Sequence, residues 1–178
     1  MLDRLLYRAK QFWFAMSARM NEENRSFVHQ YLNIKEAALF FSLPDYEQKH
    51  GVVVAKRMMR EAADMKTIDK RKLVRLGLLH DIGKTAIRLT ILSKSLLVII
   101  HRAIPPLYEL FAKLGKDEKS RKFFRRFYVH KHHGAIGADI LKKINEQSDI
   151  INEVLSHDRP CTSHDMYMRL LDKVDSTY

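Results

Sequence analysis

The chain has 178 residues, of which 46% are hydrophobic and 30% charged, and it carries a net charge of +11 at neutral pH. This length suits one globular domain with a sizeable core, and the composition excludes a low-complexity or disordered chain. The excess of cations favours an anionic partner such as a nucleotide, nucleic acid or acidic lipid. A solvated basic surface without any partner explains the charge about as well.

Cysteine use and hydropathy predict a cytoplasmic protein without a transmembrane segment. Cys161 is the single cysteine, so no intrachain disulfide can form, which agrees with a reducing cytosol. The N-terminus has no secretory-signal pattern. The most apolar tract, residues 89–104, is too short and too charged to cross a bilayer, and we expect it to form a buried helix.

The first twenty residues predict a basic amphipathic helix. Its apolar side chains recur at helical spacing, namely Leu2, Leu5, Leu6, Ala9, Phe12, Trp13, Met16 and Met20. Such a helix can pack on its own domain, which we favour, or lie on an anionic membrane surface. We interpret residues 1–44 as an N-terminal helical extension and residues 45–178 as the main domain.

The rest of the chain has helical periodicity and predicts an all-α fold. The segment Thr67-Ile68-Asp69 can form a cap and turn before one helix, and Pro105-Pro106 forces a break before another. In chain order, the predicted helical segments are 46–65, a run ending at 80, 89–104, 107–114, a run ending at 145, 148–155 and a last helix around 170–175.

The pair His80-Asp81 ends an apolar helical run, so the sequence predicts that an imidazole and a carboxylate are buried together. Burying such a pair is costly unless a cation compensates the charge, and a metal ion is the usual compensation. Gly83 permits a sharp exit from the helix, and Lys84 places a positive charge beside the pair.

Further candidate metal ligands lie on or near the ends of successive predicted helices. They are His50, His133, His157 and Asp172. We select His133 because it stands four residues before Gly137, but His130 and His132 remain alternatives at this stage.

A basic stretch at 116–126 is interleaved with phenylalanines. Basic and aromatic residues together can bind single-stranded nucleic acid, and a solvated helix whose Phe123, Phe124 and Phe127 face the core fits equally well. This stretch and Arg57, about two turns after His50, are also candidate contacts for a substrate phosphate.

The order of these histidines and aspartates resembles the HD-domain metal-dependent phosphohydrolases, and His80-Asp81-Ile82-Gly83 is the motif that names their HDIG branch. Segments 46–55, 133–138 and 171–175 also resemble elements of this family, so the resemblance covers roughly residues 45–178. It implies an all-α HD-domain helical bundle preceded by the N-terminal extension.

The resemblance also implies a metal centre. By it, a first divalent metal is held by His50, His80, Asp81 and Asp172, and Asp81 bridges to a second metal held by His133 and His157. Imidazole and carboxylate ligands suit one or two ions of Mn, Fe, Co, Zn or Ni. Asp175 is expected to support a ligand without binding metal itself.

The implied activity is hydrolysis of phosphate mono- or diesters of nucleotide-type substrates by a metal-activated water. Asp81 and Lys84 would be catalytic, and Lys84 and Arg57 would contact the substrate. The chain departs from the family pattern at His157-Asp158, where members often have His-His, and at Gly134-Ala135, which replaces Pro-Glu. Both departures weaken the second metal site. The departure at His157-Asp158 and the net charge support an alternative, a catalytically weak metal-binding module that acts in regulation or nucleic-acid binding.

Overall fold

A computed structural model describes residues 19–158 and 165–177. Within these ranges the chain forms nine α-helices and one 3-10 helix and has no strand, which confirms the all-α prediction. The elements are α1 (Glu22–Tyr31), α2 (Ile34–Ser42), α3 (Asp45–Glu61), α4 (Lys70–Leu79), the 3-10 helix (Ile82–Ala86), α5 (Ile91–Ala103), α6 (Pro105–Leu114), α7 (Lys122–Lys143), α8 (Ser148–Ser156) and α9 (Met166–Asp175). The predictions made for residues 1–18 fall outside the described residues.

Side-chain caps determine where several helices begin. Asn33 accepts from the N–H groups of Lys35 and Glu36, and the Glu36 carboxylate accepts from the Asn33 N–H, which completes a capping box. The Asp69 carboxylate caps α4, as predicted. Helix α4 therefore starts at a defined residue, and its last turn delivers His80 to the interior.

The main core forms where α3 packs against α4. The helices approach most closely at Gly77, where an added Cβ would lie 2.7 Å from the Ala55 Cα. Val54 and Met58 of α3 and Leu73 of α4 are fully buried beside this contact. Because the two helix backbones are so close, the side chains that follow Gly77 on α4 face those of α3 directly.

Helices α1 and α2 contribute to this same core. Val28 of α1 and Phe40 of α2 are fully buried in it. The division of the chain at residue 45 stays a prediction, and the helices on either side of it share one hydrophobic core.

A second, smaller core joins α5, α6 and α7 through Leu97, Tyr108 and Phe127. The 89–104 tract does form a helix, α5, but the prediction that this helix is buried is wrong. On α5, Leu92 and Ile99 are 72% and 61% exposed, because this helix contacts α6 and α7 through one face only. Of the helices that the structure describes, none is long and apolar enough to cross a membrane.

Of the phenylalanines of the basic stretch, Phe127 is buried in the second core, Phe124 is half-buried and Phe123 is 44% exposed. The rings of Phe123, Phe124 and Phe127 lie 5.5, 5.3 and 5.0 Å from the ring of Phe111. The core interpretation is therefore confirmed for Phe127, whereas Phe123 packs on Phe111 from an exposed position.

Candidate metal centre

Three histidine rings share one local geometry at the centre of the domain. The Nδ1 atoms of His80, His133 and His157 lie 2.9, 2.9 and 2.7 Å from the backbone carbonyl oxygens three residues earlier, those of Gly77, His130 and Val154. A carbonyl can only accept, so each Nδ1 donates, and in the neutral form of each ring the Nε2 carries the lone pair. This fixes the tautomer, and it aims three potential ligand atoms at Asp81.

Asp81 stands between two groups of side chains. Its Oδ1 lies 3.2 Å from the His133 Nε2 and 3.7 Å from the His157 Nε2. Its Oδ2 lies 3.4 Å from the His80 Nε2 and 3.7 Å from the His50 Nε2. The two oxygens of one buried carboxylate therefore face different histidine pairs.

The first group consists of His50 from α3, His80 from the end of α4 and Asp175 from α9. The Asp175 Oδ1 lies 2.8 Å from the His50 Nε2 and 3.7 Å from the His80 Nε2. The second group is Asp81, His133 and His157, and in each group the ligand atoms all lie within 4.8 Å of one another.

Asp172 is not brought to this cluster. It is exposed on α9, and the carboxylate that reaches the first group is that of Asp175, one helical turn later. The core-facing stripe of α9 contains Leu171 and Val174, and Asp175 follows Leu171 by four residues, which places it on the same side. The structure therefore places Asp175, which had been expected to play only a supporting part, where the predicted ligand Asp172 was expected, and the ligand role of Asp172 stays a prediction.

The three neighbouring histidines of α7 have different surroundings in the structure. The His130 Nδ1 is 2.7 Å from the Tyr108 hydroxyl, and burial, together with the positive charge of Lys84, lowers the pKa of His130 to about 3. The His132 ring packs on Tyr128 at 4.6 Å. Only His133 of the three reaches Asp81.

Burial and charge act against each other at the centre. Burial disfavours the charged form of Asp81, but Lys84 and His80 outweigh it and hold the pKa of Asp81 well below its usual range. Burial lowers the pKa of His80, yet Asp81 and Asp175 overcome this and raise it to about 10. The site therefore stabilises a positive charge among its carboxylates.

Lys84 is held by a carboxylate that the sequence analysis missed. The Lys84 ammonium pairs with Asp81 and lies 3.5 Å from Glu47, which is buried and also binds Lys94 at 2.7 Å. Burial raises the pKa of Glu47, but the two lysines lower it to about 2. Glu47 precedes His50 by three residues on α3, and this helical spacing was the available signal.

Arg57, the other predicted substrate contact, points to the C-terminal end of the described chain. Its guanidinium donates to the Thr177 hydroxyl at 2.8 Å and lies 4.0 Å from Glu61. Thr177 follows Asp175 by two residues. The substrate contact predicted for Arg57 stays a prediction.

The two departures from the family pattern form a single structural feature. Helix α7 is kinked at His132, and just after the kink the Gly134 N–H donates to the Asp158 carboxylate at 3.3 Å. A Cβ at residue 134 would lie 2.9 Å from the Asp158 Cγ. Gly134 therefore leaves room for Asp158, and Asp158 caps the helical segment that follows the kink.

A tight backbone contact holds α7 against the 3-10 helix. A Cβ at Gly83 would overlap the His133 carbonyl oxygen and lie 2.7 Å from the Gly137 nitrogen. Gly83, the third residue after His80, thus touches the turn that carries His133. This contact brings the two groups of ligands together.

Comparison with protein-family models gives a match to the HD domain over residues 49–177. This chain belongs to the HD-domain family. The match runs from the residue before His50 to the end of the described α9 region, and it therefore contains both groups of side chains at the centre. Searches against curated proteins and against solved structures returned no match.

The donors of this HD domain fit divalent metal ions. The Nε2 atoms of His133 and His157 lie only 3.1 Å apart; because both Nδ1 atoms donate to carbonyls, these nitrogens face each other as lone pairs unless a proton or a metal ion lies between them. The His80 Nε2 is buried without a hydrogen-bond partner among the described residues, which is costly for a polar atom. Imidazole and carboxylate ligands suit first-row transition metals.

Proposed function

We propose that this HD-domain protein is a metal-dependent phosphohydrolase of the HDIG branch, acting on phosphate mono- or diesters of nucleotide-type substrates. The observation that carries the proposal is the Asp81 carboxylate, whose two oxygens face His50 and His80 on one side and His133 and His157 on the other. A carboxylate so placed can be shared by two ions.

Two groups of side chains would hold the metal. His50, His80 and Asp175 would hold one ion and His133 and His157 another, with Asp81 between them. When bound, such ions lower the pKa of water and neutralise negative charge on a phosphoryl group.

The chain's own residues would orient the reacting groups. The carbonyls of Gly77, His130 and Val154 fix three rings, so the ligands need little rearrangement. Lys84 is 12% exposed and lies against Asp81. From there its ammonium can donate to a phosphoryl oxygen, and its charge favours the anionic substrate at this position.

The decisive experiment compares wild-type protein with Asp81→Asn after reconstitution with Mn or Fe. We expect the wild type to retain one or two ions and to hydrolyse members of a panel of nucleotide mono- and diesters. Asp81→Asn should lose turnover while keeping its helical circular dichroism. An equally active Asp81→Asn would overturn the proposal, and metal retention without any hydrolysis would favour the regulatory module.

A further inference from the structure

A cleft of about 870 Å³ lies along α7, beside the chain that leaves the 3-10 helix. Cationic side chains dominate its polar lining, since only Glu118 and Asp139 among the lining residues are acidic. The cations are Arg88, Lys116, Lys122, Arg125, Arg126 and Lys143.

Most of this positive charge is not neutralised by the described part of the chain. Arg125 donates to the backbone carbonyls of Gly115 and Lys116, and Asp139 is already paired with Lys142 at 3.2 Å. The other five cations make no ion pair with any residue that the structure describes. Like charges gathered along one cleft repel each other, and an anion would relieve the repulsion.

The N-terminus of α7 lies in the same cleft and strengthens this preference. Its first turn has no acidic residue and no side-chain cap, and it contains the cations Lys122 and Arg125. The exposed N–H groups of a helix N-terminus carry partial positive charge, so anions are favoured and cations are not. Cations therefore occupy positions where carboxylates would stabilise an isolated helix.

Arg126 supplies an unsatisfied donor. Its Nε is buried and has no hydrogen-bond partner among the described residues. Buried guanidinium donors are nearly always paired, and a phosphate oxygen is a geometrically suitable acceptor for Arg.

The cleft is long. Its lining on α7 runs from Lys122 to Lys143, a rise of about 30 Å at ~1.5 Å per residue before the kink at His132 is considered. Tyr128, Ile136 and Ile140 provide an apolar surface between the cations. A single phosphate or mononucleotide would occupy only a part of this length, whereas a nucleic-acid strand carries a phosphate about every 3.4 Å.

We propose that the cleft along α7 binds the phosphates of a single-stranded oligonucleotide. Arg88 follows Lys84 by four residues, so their Cα atoms are at most about 14 Å apart. A strand in the cleft therefore passes near the metal centre. Binding itself does not depend on the proposed hydrolysis.

The test is fluorescence anisotropy of a labelled 12-nucleotide single strand with the full chain in EDTA, at salt concentrations between 50 and 200 mM. Five unpaired cations predict a slope of log affinity against log salt of about −3.5, at ~0.7 per phosphate contact in a single strand. Lys122→Gln with Arg126→Gln should make this slope shallower by about 1.4 and weaken binding several-fold at 50 mM salt.

The matched control is Lys56→Gln with Lys173→Gln, which removes the same charge from lysines paired with Glu23 and Glu61 elsewhere. It should bind nearly as the wild type does. If the Arg126 variant folds poorly, Lys116→Gln with Lys143→Gln tests the same cleft at two exposed positions.

Two results would overturn the proposal. One is equal weakening by the control and the cleft variants, which would mean that net charge alone attracts the strand. The other is full competition by inorganic pyrophosphate together with no preference for the strand over a mononucleotide. Because EDTA excludes turnover, failure of strand binding is distinguishable from failure of the hydrolase assignment.

Discussion

At the scale of single residues, the metal centre depends on which of two aspartates faces the core. Asp172 and Asp175 are one helical turn apart and chemically identical; the family resemblance selected Asp172, whereas the structure places Asp175 beside His50 and His80. The apolar stripe of α9 favours Asp175, because at 3.6 residues per turn Asp175 lies closer than Asp172 to the centre of the buried face formed by Leu170, Leu171 and Val174.

Exchange of the two carboxylates for amides tests this assignment. Asp175→Asn should weaken metal binding at least 10- to 100-fold, because it removes the carboxylate that lies 2.8 Å from the His50 Nε2. Asp172→Asn, the matched control, should leave metal binding unchanged because this side chain is exposed. Calorimetric titration of each variant with Mn measures both, and the reverse order of effects would restore Asp172 as the ligand.

At the scale of helices and turns, glycines set the distance between elements that carry ligands. Gly83→Ala should cost about 1–3 kcal/mol or more, because its Cβ would overlap the backbone of His133, which cannot move without shifting α7. Gly51→Ala is the control. Its nearest neighbour is the side-chain ring of Phe40 at 3.1 Å and not a backbone atom, so Gly51→Ala should cost less, and alanine favours the helix. The free energies of unfolding measured in urea should differ clearly between the two variants. An equal loss of stability in both would contradict the close approach of α7 to the 3-10 helix.

The pairing of Gly134 with Asp158 makes a prediction about coupling. Asp158→Ala should cost about 0.5–2 kcal/mol through loss of the cap, and Gly134→Ala should cost about 1–3 kcal/mol through crowding against Asp158. In the double variant the crowding against Asp158 disappears, whereas the crowding against the Val154 carbonyl oxygen at 2.9 Å remains, so the total cost should be less than the sum but not zero. Strictly additive free energies of unfolding would show that the two residues do not interact.

How far the sequence predicts this molecule depends on whether a feature is local. Helical periodicity, the Asp69 cap and the burial of His80 follow from nearby residues, and the structure has all three. The exposure of Leu92 does not follow from nearby residues, because it depends on how much of α5 is covered by the neighbouring helices. Glu47 was missed for a similar reason, since its importance comes from Lys84, which reaches it from a different helix.

At the scale of the whole molecule, one buried ion pair should make stability depend on pH. Glu153 of α8 lies 2.8 Å from the Lys72 ammonium of α4. Burial raises the pKa of Glu153 to about 7 despite the opposing effect of Lys72. The folded state therefore holds this proton more tightly than the unfolded state, so this residue's contribution to stability falls as pH rises from about 4.5 to about 7.

Glu153→Gln should remove that dependence. The variant should match wild type near pH 4.5 and be more stable by about 1–3 kcal/mol above pH 7. Asp149→Asn should instead be less stable than wild type by a nearly constant amount from pH 4.5 to 8, because a hydrogen bond from the same lysine lowers the pKa of Asp149 from its ordinary value of 3.8 and the carboxylate is largely ionised in both folded and unfolded chains over this range. Thermal unfolding of the three proteins between pH 4.5 and 8 measures both effects, and parallel pH profiles for Glu153→Gln and wild type would contradict the raised pKa of Glu153.

The hydrogen bonds from three histidine rings to carbonyls three residues earlier have a consequence for the entropy of metal binding. Each ring is ordered by its own segment of chain when that segment folds. The rotational freedom that a loose site would lose on binding an ion has already been lost during folding. Ion binding and fold stability are therefore thermodynamically linked. Substitutions far from the centre that loosen α4, α7 or α8 should lower the affinity of the proposed centre for metal.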